Sequence, residues 1–189
     1  QPLKTPRLRV TKLPVSTASP SGEAVFELAA DTPKLSVTVS YRWDAKQPVL
    51  RKFVTITNDS GEEWNRLLNV RLGSYSTDAQ AEVGDPDYPA FLESRIDDLA
   101  GKQRGYPIYI EWQFFVGLAH PAGFAMRQDQ TLSLQQRPGV ALATGTSFEC
   151  MEAVYGVSRA CQARRAFCDH LRTRMRRVLR GHDKPLAIF

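Results

Sequence analysis

Glu111 stands beside Trp112, and an acid next to an aromatic ring is a common way to grip a sugar. Trp112 would serve equally well in the core of a strand. Asp85 and Asp87 flank Pro86, Glu93, Asp97 and Asp98 follow, and Glu149 and Glu152 come later. Paired acids of this kind perform general acid and base catalysis or hold a hard cation. Sequence spacing fixes no pairing geometry among them, and a solvated loop uses the same residues. His120, His170 and His182 are spread over a turn, a helix and the tail, with no H-x-H, H-E-x-x-H or Cys/His ligand pattern. Neither a metal nor a cofactor is therefore expected. A G-x-S-x-G elbow, a phosphate-binding glycine loop and a dinucleotide fingerprint are also missing. Cys150, Cys161 and Cys168 are odd in number. On a helix the last two lie two turns apart, about 10 Å, too far for a disulfide. They read as small packing residues and leave the compartment open.

Net charge is +5 and the isoelectric point is near 9.3, values that suit a nucleic-acid binder. Their distribution argues against one. Arg159, Arg164, Arg165, Arg172, Arg174, Arg176, Arg177 and Arg180 outnumber the whole net charge, so the rest of the chain is close to neutral. That arginine-rich stretch interleaves no aromatic residue except Phe167, and it reads as a solvated or domain-facing helix. No window of about eighteen apolar residues exists, which predicts no membrane-spanning helix. The chain starts at Gln1 with no signal-peptide pattern.

The elements that must position these residues are mostly strands. Prolines at 2, 6 and 14 break short alternations and suit an edge strand, since proline cannot donate to an interior ladder. Residues 24–29 and 35–43 alternate, with Val37, Val39 and Tyr41 opposite Ser36, Thr38, Ser40 and Arg42. Residues 49–58 alternate likewise, Leu50, Lys52, Val54 and Ile56 opposite Arg51, Phe53, Thr55 and Thr57. Residues 64–75 continue as strand through Leu68, Val70 and Leu72. Between 76 and 105 the pattern dissolves, and a loop of that length is often functional or packed on another domain. Within it, residues 91–99 suit a short helix.

Residues 111–158 hold apolar clusters separated by turn residues at intervals of roughly ten, the mark of antiparallel strands in a sandwich or barrel. This stretch is expected to form the inner sheet of a large β-domain. After Ser158 the period changes from two to near four. Ser158 is placed to cap a helix with the apolar stripe Ala163, Phe167, Leu171, Met175 and Val178 or Leu179, and Gly181 to stop it. The organisation is then a β-domain over 1–158, a linker helix over 159–181 leading to an absent domain, and a truncated tail over 182–189. An apolar stripe of this extent needs a partner, and a chain without that partner is expected to self-associate.

The ordered series LSVTVSYRWDAKQPVLRKFVTITN, FFVGLAHPAGF, LQQRPGVALATGTSFECMEAVYGVS and RAFCDHLRTRMR resembles the N-terminal β-domain of melibiase-type α-galactosidases and related clan D glycoside hydrolases. The resemblance covers roughly residues 35–189. It implies a mainly β fold, a two-layer antiparallel supersandwich of the galactose-mutarotase-like kind with a C-terminal helix. It also implies that sugar hydrolysis happens elsewhere. In that family both catalytic aspartates lie on a (β/α)8 barrel beyond the equivalent of Phe189, so no position here inherits either.

The expected role is thus a non-catalytic accessory domain that scaffolds or completes the sugar site of a barrel packed on the C-terminal helix. By location, Asp85, Asp87, Tyr88, Phe91 and Trp112 are the candidates for the rim of that site. Two alternatives stand beside it. Mutarotases share the sandwich and open aldose rings with a His and a Glu, for which His120 and Glu111 are the candidate acid/base pair. A carbohydrate-binding module would use Trp43, Trp64 or Trp112, of which the first two read better as core.

Overall fold

Strict alternation in the first half of the chain becomes a long antiparallel meander. The computed structural model describes residues 6–14, 19–79, 81–83, 102–104, 106–158 and 162–175. Numbered along the chain, the meander comprises β1 (Arg9–Lys12), β2 (Gly22–Asp31), β3 (Lys34–Asp44) and β4 (Gln47–Asn58). β15 (Ala153–Val157), β10 (Phe114–Leu118), β9 (Ile108–Ile110) and β7 (Ala81–Val83) extend the same sheet from β4, and β14 (Ser147–Glu149) also pairs with β4. The proline-flanked β1 is indeed an edge strand of this nine-stranded sheet.

A second sheet runs β6 (Val70–Ser76), β12 (Thr131–Gln136), β11 (Phe124–Gln128) and β8 (Lys102–Arg104), and β5 (Trp64–Leu67) pairs separately with β13 (Val140–Leu142). All described pairings are antiparallel. The chain is therefore a mainly β, layered antiparallel sandwich with a C-terminal helix, α1 (Ala163–Met175).

The main core lies between the two larger sheets. Leu35, Val37, Val54, Ile56, Ile108, Leu118 and Ala153 of the large sheet meet Leu72, Ala125, Leu132 and Leu134 of the small one. Each fully buried aliphatic or aromatic side chain of this kind contributes about 1.5–3 kcal/mol. A second, smaller core lies on the opposite face of the large sheet, where Ala163 and Phe167 of α1 pack on Val49, Tyr109, Phe115 and Val154.

Three expectations need correction. Residues 64–75 form two strands in different sheets, separated at Leu68 and Asn69, because Trp64 and Leu67 pair with β13 while Val70 onward pairs with β12. Residues 111–158 do not form one inner sheet: hairpin turns send them through all three sheets. Ser158 accepts a hydrogen bond from the Gln162 N–H at 3.2 Å, but α1 begins only at Ala163. The expected helix over 91–99 and the stop at Gly181 lie outside the described residues.

The described part of the helix stripe has its partner inside this chain. Phe167 is 3 % exposed and meets Phe115 edge to face at 5.4 Å between ring centroids. Among the described residues, a continuous uncovered apolar surface lies elsewhere, on the inner face of the large sheet.

Candidate functional site

Register places the inner-face side chains of the large sheet in rows that cross the strands. One row holds Trp43, Leu50, Tyr155 and Val116, and the next holds Val157, Phe114 and Ile110. The small sheet covers the rows beyond Lys52 and reaches Tyr155 through Tyr75, but leaves Leu50, Phe114 and Val157 largely open. The two rows line an open trough of about 520 Å³. Leu50, Phe114 and Val157 are 36–47 % exposed there, although the same strands bury Val54, Leu118 and Ala153 further along.

The wall at Trp43 is held in place. Its indole N–H donates to the Ser19 carbonyl at 2.9 Å, and its ring lies over Gly22, where a Cβ would stand 2.9 Å from the ring. A residue larger than glycine at 22 would push the indole off the trough.

Polar stitches join the two layers where the small sheet ends. Tyr75 reaches from β6 to Tyr155, hydroxyl to hydroxyl at 2.5 Å, and lies back over Gly73, whose missing side chain makes the room. Burial pushes both phenols above their ordinary value. One row inward, the Lys52 ammonium donates to the Leu72 carbonyl at 2.6 Å and stands 5.5 Å from the centre of the Tyr41 ring. Leu72 sits where the β6–β12 register shifts, and a bulge residue unpaired in its own ladder keeps its carbonyl for such a donor.

The sequence candidates are dispersed. Asp85, Asp87, Tyr88 and Phe91 lie outside the described residues. Glu111 and Trp112 occupy the two central positions of the β9–β10 turn, closed by the Gln113 N–H donating to the Ile110 carbonyl at 3.1 Å. Trp112 stacks on Tyr109 with 6.1 Å between ring centroids, and Tyr109 belongs to the core beneath α1. Its ring is therefore on the helix side of the large sheet, with the trough on the other side.

His120 follows the far end of β10, in a turn where its Nδ1 accepts from the Ala122 N–H at 3.0 Å. β10, which runs between their two turns, spans about 13 Å at a strand rise of about 3.3 Å per residue and holds Glu111 and His120 apart. The proposed acid/base pair does not converge, because β10 runs between its two members. Glu149 is exposed on β14, whereas Glu152 lies 3.8 Å from the ring of the enclosed His170.

Of the other tryptophans, Trp64 is half-buried, bonded through its N–H to the Ser60 hydroxyl at 3.1 Å, as its core reading expects. Trp43 lines the trough. No three His, Cys, Asp or Glu side chains converge as metal ligands among the described residues, and no described helix is long and apolar enough to cross a membrane. The trough itself was invisible in the sequence, since an inner-face residue has the same alternation whether or not a second layer covers it.

No family model matches this sequence, and no curated protein does. Among solved structures the chain is similar to the GH36 α-galactosidase AgaA of Geobacillus stearothermophilus, at 16% identity and a TM-score of 0.43, over 82% of this chain and 27% of that one. An α-galactosidase of Lactobacillus brevis matches at 15% identity and a TM-score of 0.42, over 84% and 27%. A putative aldose 1-epimerase of Escherichia coli K12 matches at 16% identity and a TM-score of 0.44, over 77% and 67%. The chain spans about a quarter of the length of these α-galactosidases.

Proposed function

We propose that this chain is a non-catalytic accessory domain of a glycoside-hydrolase-like protein of the α-galactosidase type, which packs against the catalytic part and helps to shape its sugar site. The observation that carries this reading is the trough. Its walls are Trp43, Leu50, Phe114, Val116 and Val157, a lining suited to packing and poor in the convergent hydrogen-bonding groups that a sugar or a catalytic step needs. The separation of Glu111 from His120 weighs against the ring-opening alternative. The ordered motifs quoted above supply the sugar context.

On this reading the docking face is the inner face of the large sheet at the trough, with α1 as a second point of attachment. Trp112 and the segment around Asp85, Asp87, Tyr88 and Phe91 are proposed as contributors to the rim of the sugar site.

The test compares this chain with the product of its full parent reading frame. Hydrolysis of 4-nitrophenyl α-galactoside is expected from the long form and not from the chain alone, and Phe114→Asp with Val157→Asp is expected to lower activity of the long form. Hydrolysis of the galactoside, or mutarotation of galactose followed by polarimetry, catalysed by the isolated chain would overturn the reading.

A further inference from the structure

The outer face of β2, β3 and β4 breaks a rule of sheet construction. Arg42 and Arg51 are directly opposite one another across β3 and β4. Like charges in that position are destabilising by about 0.2–1 kcal/mol, so the pair calls for a compensating reason. Part of it is Phe53, the next outward-facing residue of β4. Both guanidiniums stack on its ring, Arg42 at 4.7 Å and Arg51 at 5.9 Å from the centroid.

Glu23, opposite Arg42 on β2, accepts from the Arg42 Nε–H at 2.8 Å. That hydrogen bond holds the Glu23 carboxyl below its usual range. One of the two positive charges is thereby matched. Arg51 has no acidic partner among the described residues. It sits opposite Val154, at the flank of α1 where the sheet emerges from beneath the helix.

A guanidinium held near an aromatic ring by its charge keeps its fork of N–H donors for a carboxylate. The surroundings restrict what brings that carboxylate. β3 and β4 are interior strands paired on both sides, so an extended peptide finds no free backbone to add to. The face offers side chains alone: the two arginines, the Glu23 and Glu27 carboxylates already held by Arg42 and Lys12, and the hydroxyls of Thr38 and Thr55, a cross-strand pair on the same face. One unmatched fork for a carboxylate beside hydroxyls for hydroxyls matches a glycan that carries uronic acids.

We infer that the outer face around Arg42, Arg51 and Phe53 binds an acidic, uronate-bearing glycan, with Arg51 taking the carboxylate. This rests on the sugar-related reading of the domain but concerns a different face from the trough.

The test is calorimetric titration of the chain with a short oligogalacturonate at low salt. Binding is expected, with no competition from a neutral galacto-oligosaccharide. Arg51→Gln is expected to weaken it about tenfold or more, the usual loss for a hydrogen-bonded charge. Arg51→Lys keeps the charge but loses the planar fork, and is expected to be weakened nearly as much. Arg172→Gln on α1 removes an equal charge elsewhere and is expected to bind as the parent does.

Equal binding by Arg51→Gln and the parent overturns the inference, as does a loss in Arg172→Gln matching that in Arg51→Gln. A poly-glutamate peptide that binds as tightly as the glycan also overturns it, in favour of a protein partner. Failure here with the galactosidase result intact removes only this site, because the two assays share no variant.

Discussion

Tyr75 of the small sheet and Tyr155 of the large sheet meet hydroxyl to hydroxyl at 2.5 Å, with their rings edge to face. This contact closes the covered part of the core at the point where the trough begins. Burial is the largest cause of the raised pKa of both phenols, and for Tyr155 the partner hydroxyl raises it further. The folded protein therefore keeps a proton that the unfolded chain gives up near pH 10, so the stability contributed is intact below about pH 10 and is lost as pH rises above it. Urea unfolding at stepped pH should show this decline in the parent chain and a shallower one in Tyr155→Phe. At neutral pH the same variant should lose about 1 kcal/mol, the worth of an ordinary hydrogen bond. An unchanged alkaline slope would mean that the phenols ionise without disturbing the contact.

The strands on either side of this contact show how far the sequence could be read. Alternation in residues 35–43 and 49–58 correctly assigned Val37, Val39 and Tyr41, and Leu50, Lys52, Val54 and Ile56, to one face each, and register brings those faces together. It did not separate Leu50, 36 % exposed, from Val54, 8 % exposed. Alternation encodes the face of a residue, and what lies over that face depends on strands distant in sequence. Arg42 and Arg51 illustrate the same limit, since their opposition exists only once β3 and β4 are in register. The helix period after Ser158 was legible, but the seat of Phe167 on Phe115 was not.

That seat depends on a glycine. Gly156 faces Phe115, and a Cβ at 156 would fall 2.1 Å from the ring. Phe115 is 1 % exposed and has Phe167 on its other side, so it has nowhere to move. Gly156→Ala should destabilise the chain by about 1–3 kcal/mol, the range for overpacking a dense core. Adding Phe115→Leu should recover part of the loss, and a double-mutant cycle by urea unfolding measures how much. Strict additivity of the two substitutions would mean that the ring and the glycine do not compete for the same space.

Glu111 and Trp112 both have positive φ, 48° and 59°. Two consecutive left-handed residues are what a type I′ turn requires, and asparagine and glycine usually supply them. Glu111→Asn leaves the Trp112 stack on Tyr109 untouched while relieving one strained position. It should raise stability by several tenths to about 1 kcal/mol, seen as a higher Tm. An unchanged or lower Tm would mean that glutamate at this position is not strained.

His170 and Glu152 are enclosed between α1 and the large sheet, with 3.8 Å between the imidazole Nε2 and a carboxylate oxygen and side-chain exposures of 2% and 10%. Neither ring nitrogen of His170 makes a hydrogen bond among the described residues. The two groups stand at ion-pair distance in an enclosed place, so removing the ring alone leaves the Glu152 carboxylate without that neighbour. His170→Leu is expected to destabilise by about 1 kcal/mol or more, because it keeps most of the volume but sets an apolar side chain against the Glu152 carboxylate. His170→Ala empties the same site and should destabilise by about 2 kcal/mol or more. Urea unfolding of both variants separates the contributions: a loss in His170→Leu as large as that in His170→Ala would show that the imidazole holds α1 to the sheet through its charge or its hydrogens, and not through its volume.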